Sequence, residues 1–209
     1  MTDELVFYTN PMSRGRTVRW MLEEVGQPYR AEIVPFGPEM KGPGYTAINP
    51  MGKVPALIHR GTTITEVAAI LSYIADAFPA AGLAPATTDS ARGSYYRWMH
   101  FCGGPMEYAV SNRTFGFVVP PEQQGRIGYG SYEDVMNTVE QAVTATDYLA
   151  GGRFSAADLY LAAVLGWGMM AGGIEKRKAF ETYAARFATR PAALKAREID
   201  GALMKSGGG

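Results

Sequence analysis

Apolar positions recur with two different periods over the first 79 residues of the chain. Short apolar runs bounded by turn residues predict strands, whereas apolar residues three and four positions apart predict helices. The predicted elements are a strand at 5–8, a helix at 14–25, a strand at 29–34, strands at 56–59 and 62–65, and a helix at 67–78. This βαβ–ββα order implies a parallel crossover followed by a hairpin, and it predicts a four-stranded mixed sheet with helices packed on it.

Only helical periodicity remains in the second part of the chain. The predicted helices run from Asp89 to a bend or break at 103–105, and then cover 132–149, 159–170, 176–188 and 191–204, with a loop at 113–129 and an unstructured tail at 206–209. Ser131 is a predicted N-cap, and Ser155-x-x-Asp158 is a capping-box pattern. The helix at 159–170 is apolar nearly all round, which predicts that it lies at the buried centre of a helical bundle.

The change of pattern defines two domains. Residues 80–88, with four Ala, two Thr, one Gly and one Pro, have the composition of a linker. The sequence therefore predicts an α/β plus all-α protein, with a βαβ–ββα domain at 1–79, a linker at 80–88 and an all-helical domain at 89–209.

Composition and charge exclude several classes of function. Twenty basic and twenty acidic residues give no net charge, so neither nucleic acid nor an anionic membrane is an expected partner. No apolar stretch is long enough to span a bilayer, and the acidic start is not that of a signal peptide. The single cysteine, Cys102, fits a reducing cytoplasm, and one Cys with two His offers no metal-ligand cluster. We therefore expect a cytoplasmic protein without a metal.

The stretch Gly52-Lys53-Val54-Pro55-Ala56-Leu57 suggests a binding function. Proline has no N–H to give to a strand ladder, and it holds the preceding Val54 in an extended conformation. The polar backbone groups of Val54 are then free to pair with an extended peptide. The Val54–Pro55 bond is a candidate for the cis isomer, and Glu66 is expected nearby at the start of the next helix.

The order of the elements and four motifs resemble those of the cytosolic glutathione transferases. The motifs are Asn49-Pro50-x-Gly52-Lys53-Val54-Pro55-Ala56-Leu57, Ile64-Thr65-Glu66-Val67-Ala68-Ala69-Ile70, Phe154-Ser155-x-Ala157-Asp158 and Arg190-Pro191. The resemblance spans the whole chain. It implies a thioredoxin-like first domain, a homodimer, and glutathione as co-substrate.

The resemblance also implies how glutathione would bind. Its cysteinyl backbone would pair with the Val54 main chain beside Pro55, and its γ-glutamyl end would meet Glu66 and the start of the following helix. The family usually has a serine or threonine after this acid, so Val67 removes one hydrogen bond. Lys53, with Lys41 as second choice, would pair with the glycine carboxylate. The alternatives are that Glu66 only favours the helix dipole and that the lysines are solvated.

Catalysis in this family requires ionisation of the glutathione thiol, whose free pKa lies near or somewhat above about 8.5. Ser13 is the first choice of donor to the thiolate, followed by Asn10 or a backbone amide, while Tyr8 lies too early in its strand and is expected to pack. The alternative for Ser13 is a plain N-cap. The resemblance implies a hydrophobic second substrate near Met12 and the helical domain. The predicted lining residues of that domain are Tyr95, Trp98, Met99, Met106 and Tyr108, for which a core or dimer contact is the alternative.

The implied function is conjugation of glutathione to a hydrophobic electrophile, as in detoxification. Two alternatives remain at this stage: glutathione-dependent reduction of disulfides or peroxides, and a non-catalytic binding or interaction protein that kept the fold.

Overall fold

A computed structural model describes residues 3–206 of the chain. It divides into two compact units, one formed by the chain up to Ala81 together with the chain from Arg190 onward, the other by Gly82–Thr189. Ser206, predicted to begin the unstructured tail, is instead the last residue of the final helix, and the rest of the predicted tail, 207–209, lies outside the described residues.

The first unit is built on a four-stranded sheet. Its elements are β1 (Leu5–Thr9), α1 (Gly15–Val25), β2 (Tyr29–Ile33), two short helices α2 (Pro38–Lys41) and α3 (Pro43–Thr46), β3 (Ala56–His59), β4 (Thr62–Thr65) and α4 (Val67–Ala77). The strand order is β2-β1-β3-β4, with β1 and β2 parallel and the other pairs antiparallel. The βαβ–ββα prediction is confirmed.

The β3–β4 hairpin forms where its turn residues predict it. Arg60 and Gly61 both have positive φ, at 52° and 78°, as a two-residue type I′ turn requires. Inside the unit, apolar side chains of the sheet and of α1 and α4 are fully buried: Leu5, Phe7, Met21, Leu22, Leu57, Ile70, Leu71 and Ile74. This packing fixes the sheet that carries the candidate site.

The second unit is helical throughout. Its helices are α5 (Ala91–Phe101), α6 (Glu107–Phe115), α7 (Tyr132–Ala145), α8 (Ala156–Ala171) and α9 (Lys178–Ala188), with a 3₁₀ helix at Pro121–Arg126. Of the bend or break predicted at 103–105, the break is wrong, because a π-helical segment at Cys102–Met106 joins α5 to α6. Its wider turn accommodates Pro105.

The last helix, α10 (Pro191–Ser206), belongs to the first unit. It packs along α1, where Arg190 forms a bidentate pair with Glu24 at 2.6 and 2.7 Å and Lys195 pairs with Glu23 at 2.7 Å. The domain limits at 79 and 89 stay a prediction, to which the structure adds that the final helix completes the first unit.

Both predicted serine caps are present. Ser131 begins α7, with its hydroxyl accepting the Asp134 N–H at 3.0 Å, and Ser155 begins α8 in a capping box with Asp158. Helix α8 is buried along most of its length, as its apolar pattern predicts. No helix among residues 3–206 is long and apolar enough to cross a membrane.

We expect Ser131→Ala to lower the free energy of unfolding by about 1 kcal/mol, because the Asp134 N–H loses its acceptor. Ser90→Ala is a matched control, since Ser90 begins α5 without a side-chain cap bond. Urea denaturation of both variants checks this. An equal loss of stability in the two variants would contradict the assignment.

Candidate functional site

A cavity of about 470 Å³ opens in the first unit. Its walls come from three segments that are distant in sequence: residues 12–14 before α1, residues 36–38 with 40 and 41 around α2, and residues 52–54 before β3. Five of the residues predicted to form the site line it together: Met12, Ser13, Lys41, Lys53 and Val54. These predicted residues thus converge on one concave surface of suitable size for a small ligand, and of the four sequence motifs only the one at 49–57 contributes to it.

Val54 presents unpaired backbone groups at this cavity. The Val54–Pro55 bond is cis, as predicted, and Pro55 is buried. Within residues 3–206, neither the N–H nor the C=O of Val54 makes a hydrogen bond. Since buried or half-buried backbone groups are nearly always paired, Val54 is prepared to bind an extended peptide.

The preceding carbonyl, by contrast, is firmly held. The Lys53 C=O accepts hydrogen bonds from the Tyr45 hydroxyl and from Asn49 Nδ2, both at 2.7 Å. Tyr45 and Asn49 are buried, and the sequence reasoning assigned neither a role. Tyr45 lies eight residues before the carbonyl that it binds. The Asn-Pro pair of the loop motif is the one feature of the sequence that could have indicated these hydrogen bonds.

Ser13 lies in a tight turn before α1 rather than at its N-cap, which is Arg14. The Ser13 hydroxyl donates to the Asn10 carbonyl at 2.7 Å and accepts the Gly15 N–H at 3.0 Å. Gly15 is required here, because a Cβ would come within 2.1 Å of Thr9 Oγ1. The N-cap prediction for Ser13 is corrected, and the hydroxyl lies at the cavity wall.

Asn10 is already engaged on both ends of its amide. Its Nδ2 donates to the Val34 carbonyl at 3.0 Å and its Oδ1 accepts the Met12 N–H at 2.9 Å. The residue is 8% exposed and does not line the cavity. Its side chain therefore braces the turn that carries Ser13.

Glu66 begins α4 from an unusual backbone conformation, with φ 67° and ψ 125°. Its side chain is exposed and does not cap the helix, whereas Val67 is buried. The first N–H groups of α4 have no intrahelical acceptor, as at any helix start, and they favour a carboxylate. Neither Glu66 nor Val67 lines the cavity.

The cavity wall is positively charged. Arg14, Lys41 and Lys53 line it, and no acidic residue is among the lining residues. Lys41 Nζ donates to the Met51 carbonyl at 2.8 Å, which holds the lysine against the loop before β3. Such a wall attracts an anionic ligand.

Four residues predicted to line an electrophile pocket lie instead in the core of the second unit. They are Tyr95, Trp98, Met99 and Met106, each at most 3% exposed. The aromatic and Met-rich periodicity of α5 thus marks packing, which was the alternative stated for it. Tyr108 and Met12 are exposed, at 63% and 54%. Burial raises the pKa of the Cys102 thiol, so it is not a reactive thiolate.

The remaining features are the possible metal ligands and the buried histidine His59. Residues 3–206 contain no group of three or more His, Cys, Asp or Glu side chains that could hold a metal ion. The Nδ1 atom of His59 lies 2.9 Å from the Tyr73 hydroxyl. The ring is fully buried beside Phe78. His59 is a core residue of the hairpin.

Comparison with known proteins gives two family matches. Residues 12–77 match the glutathione S-transferase N-terminal domain, and residues 115–191 match its C-terminal domain. The glutathione S-transferase GST-4.5 of Xanthomonas campestris is 33% identical over 64% of this chain and 68% of that protein. GstA of Escherichia coli O157:H7 is 29% identical over 79% of this chain and 80% of that protein.

Solved structures agree with this over nearly the whole chain. A glutathione S-transferase from Xylella fastidiosa superposes with a TM-score of 0.79 at 26% identity, covering 95% of this chain and 99% of that one. A sphingomonad glutathione S-transferase in complex with glutathione gives 0.73 at 30% identity, covering 94% and 98%. The predicted thioredoxin-like domain followed by a helical domain is confirmed. The chain therefore belongs to the glutathione S-transferase family.

Proposed function

We propose that the protein binds glutathione in the cavity of its first unit and transfers the glutathione thiolate to a hydrophobic electrophile. The observation that carries this is the unpaired Val54 backbone at a cationic cavity that also contains the Ser13 hydroxyl. The family match favours conjugation over the reductase and non-catalytic alternatives. A cytoplasmic homodimer and a hydrophobic second substrate are part of the proposal.

The charges of glutathione complement those of the cavity wall and, beyond the cavity lining, those at the start of α4. Its cysteinyl N–H and C=O would pair with the Val54 C=O and N–H, as in the addition of a short strand. Lys53 is exposed at the wall and would meet the glycine carboxylate, with Lys41 behind it. The γ-glutamyl carboxylate would meet the first amides of α4, and its ammonium group the Glu66 carboxylate. Val67 offers only its backbone N–H there.

Ser13 can supply a donor to the sulfur at little cost. Its hydroxyl proton now points to the Asn10 carbonyl, which also accepts the Ser13 N–H at 3.0 Å. If the Ser13 hydroxyl rotates to donate to the glutathione thiolate, the Asn10 carbonyl therefore keeps its hydrogen bond from the Ser13 N–H. The Gly15 N–H, bonded to the Ser13 oxygen, holds that oxygen in place and polarises the donating O–H.

The binding step is tested by calorimetry with glutathione, followed by assays with a generic aryl halide and a small disulfide. We expect saturable binding below millimolar concentration and turnover of the aryl halide. Absence of saturable binding at millimolar glutathione would overturn the proposal, and binding without any turnover would favour the non-catalytic alternative.

We expect Ser13→Ala to raise the kinetic pKa of bound glutathione by about 1–2 units, since a hydrogen bond to a charged group contributes about 1.5–3 kcal/mol. Below that pKa, kcat/KM should fall about 10- to 100-fold, and it should recover at high pH as the thiol ionises. The measurement is the pH profile of aryl halide conjugation, with Ser90→Ala as control. An unchanged profile would assign the role to a backbone amide.

A further inference from the structure

The Lys53–Val54 peptide is held on one side and unpaired on the other. Two buried donors, the Tyr45 hydroxyl and Asn49 Nδ2, converge on the Lys53 oxygen at 2.7 Å each. Asn49 is 3% exposed and Tyr45 7%. Two short hydrogen bonds from buried side chains leave this carbonyl little freedom to rotate.

The direction of the Val54 N–H follows from that of the Lys53 C=O. The two groups belong to one planar trans peptide unit, in which C=O and N–H point in opposite directions. With the oxygen directed at Tyr45 and Asn49, the Val54 N–H points away from them. Val54 lines the cavity, and this N–H has no acceptor within residues 3–206.

Tyr45 is itself rigidly placed. It forms a buried core cluster with Val34 and Met40, against which Val54 packs, and its ring centroid lies 5.9 Å from that of Tyr8. Burial raises the pKa of Tyr45 to about 12, so the hydroxyl keeps its proton at every pH used for assays. A hydroxyl has a single proton to donate, and this one is given to the Lys53 oxygen.

We infer that Tyr45 is a positioning residue for glutathione: through the Lys53 carbonyl, its hydroxyl aims the Val54 N–H at the cysteinyl carbonyl of the ligand. Asn49 acts on the same oxygen from a second direction. The inference rests on the proposed glutathione site and adds a buried hydroxyl that never touches the ligand. It predicts an effect on binding affinity that exceeds any effect on the chemical step.

The test compares Tyr45→Phe with wild type in glutathione binding by calorimetry. We expect the dissociation constant to rise about three- to tenfold, the effect of one misdirected hydrogen bond, while kcat at saturating glutathione stays within about twofold. Amide hydrogen exchange of Val54 in the glutathione complex gives an independent readout. Exchange should be slow in wild type and faster in Tyr45→Phe.

Tyr73→Phe is the matched control. It removes a half-buried hydroxyl of the same unit that is bonded to His59 at 2.9 Å and that, within residues 3–206, makes no hydrogen bond to the loop before Val54. If Tyr45 only stabilises the fold, Tyr45→Phe should behave like Tyr73→Phe: the melting temperature falls and the dissociation constant for glutathione stays unchanged. The double variant Tyr45→Phe/Asn49→Ala should bind more weakly than Tyr45→Phe.

The outcomes separate the inference from the proposed function. If wild type itself fails to bind glutathione, the proposed function is overturned and the inference falls with it. If wild type binds and Tyr45→Phe matches Tyr73→Phe in affinity and in Val54 exchange, the inference alone is overturned. A rise in the dissociation constant confined to Tyr45→Phe and the double variant supports it.

Discussion

Arg19→Met is expected to lower the free energy of unfolding by about 3–5 kcal/mol, the usual effect of removing one partner of a buried ion pair. Arg19 Nε lies 2.7 Å from Asp200 Oδ1, and both side chains are 1% exposed. Arg19 also donates to the Tyr29 hydroxyl at 3.1 Å. Without the guanidinium, the buried Asp200 carboxylate would lose its ion-pair partner and keep only the weaker electrostatic influence of Arg16.

Replacing both Arg19 and Asp200 should lower the free energy of unfolding far less than replacing Arg19 alone. In Arg19→Met/Asp200→Leu no charge is left buried, and such replacements are often neutral or stabilising. Within residues 3–206, Arg19 Nη2 and Asp200 Oδ2 have no hydrogen-bond partner, so the pair is incompletely satisfied even in wild type. Urea denaturation of the two variants decides the matter. Equal instability of the single and double variants would contradict the prediction.

The loss in free energy of unfolding caused by Arg19→Met should depend on pH. Burial raises the pKa of Asp200 although Arg19 lowers it, so loss of Arg19 raises it further. A carboxyl whose pKa is higher in the folded state stabilises that state when protonated, and the contribution is lost as the pH rises through the folded-state pKa. We therefore expect the difference from wild type to be smaller near about pH 5 than near about pH 8.

Asp158→Asn is the second large effect, expected to lower the free energy of unfolding by about 3–4 kcal/mol. The Asp158 carboxylate is fully buried and accepts four hydrogen bonds, from the N–H and hydroxyl of Ser155, the Leu149 N–H and the Tyr183 hydroxyl, at 2.7–2.9 Å. An asparagine keeps the shape, but its NH₂ group would face donors in place of an acceptor.

The chain contains a matched control for this prediction. Asp134 forms the same capping box with Ser131 at the start of α7, but on an exposed surface. There water replaces the lost contacts, so Asp134→Asn should cost under about 1 kcal/mol. Thermal and urea denaturation of both variants measure the contrast. Similar losses in the two variants would show that burial is not the cause.

The sequence predicts the features of this fold that local chemistry determines. The Arg60-Gly61 turn requires positive φ at two successive residues, and the Ser131 and Ser155 caps follow from four-residue patterns. The loop before Val54 is predictable for the same reason, since proline restricts its neighbour directly. These signals lie within a few residues of the structure that they specify.

The remaining features depend on contacts between distant segments. Asp200 lies 181 residues from Arg19, and no local pattern pairs them. The periodic aromatic face at Tyr95 and Trp98 fits a pocket as well as a core, and burial decided for the core. The sequence predicts Asn10 as a donor because nothing local shows that its amide bonds to the Val34 carbonyl, 24 residues away and directly after β2.

The packing of α10 on α1 has a consequence for biosynthesis. The helix that completes the first unit leaves the ribosome after the whole second unit, whereas Gly82–Thr189 is continuous in sequence and can fold as it emerges. Until residues 190–206 are released, the Arg19 guanidinium has no carboxylate to meet and the α10-facing side of α1 stays open. The first unit can therefore complete its fold only after residues 190–206 have been synthesised. A fragment ending near residue 80 would lack α10, which packs on α1.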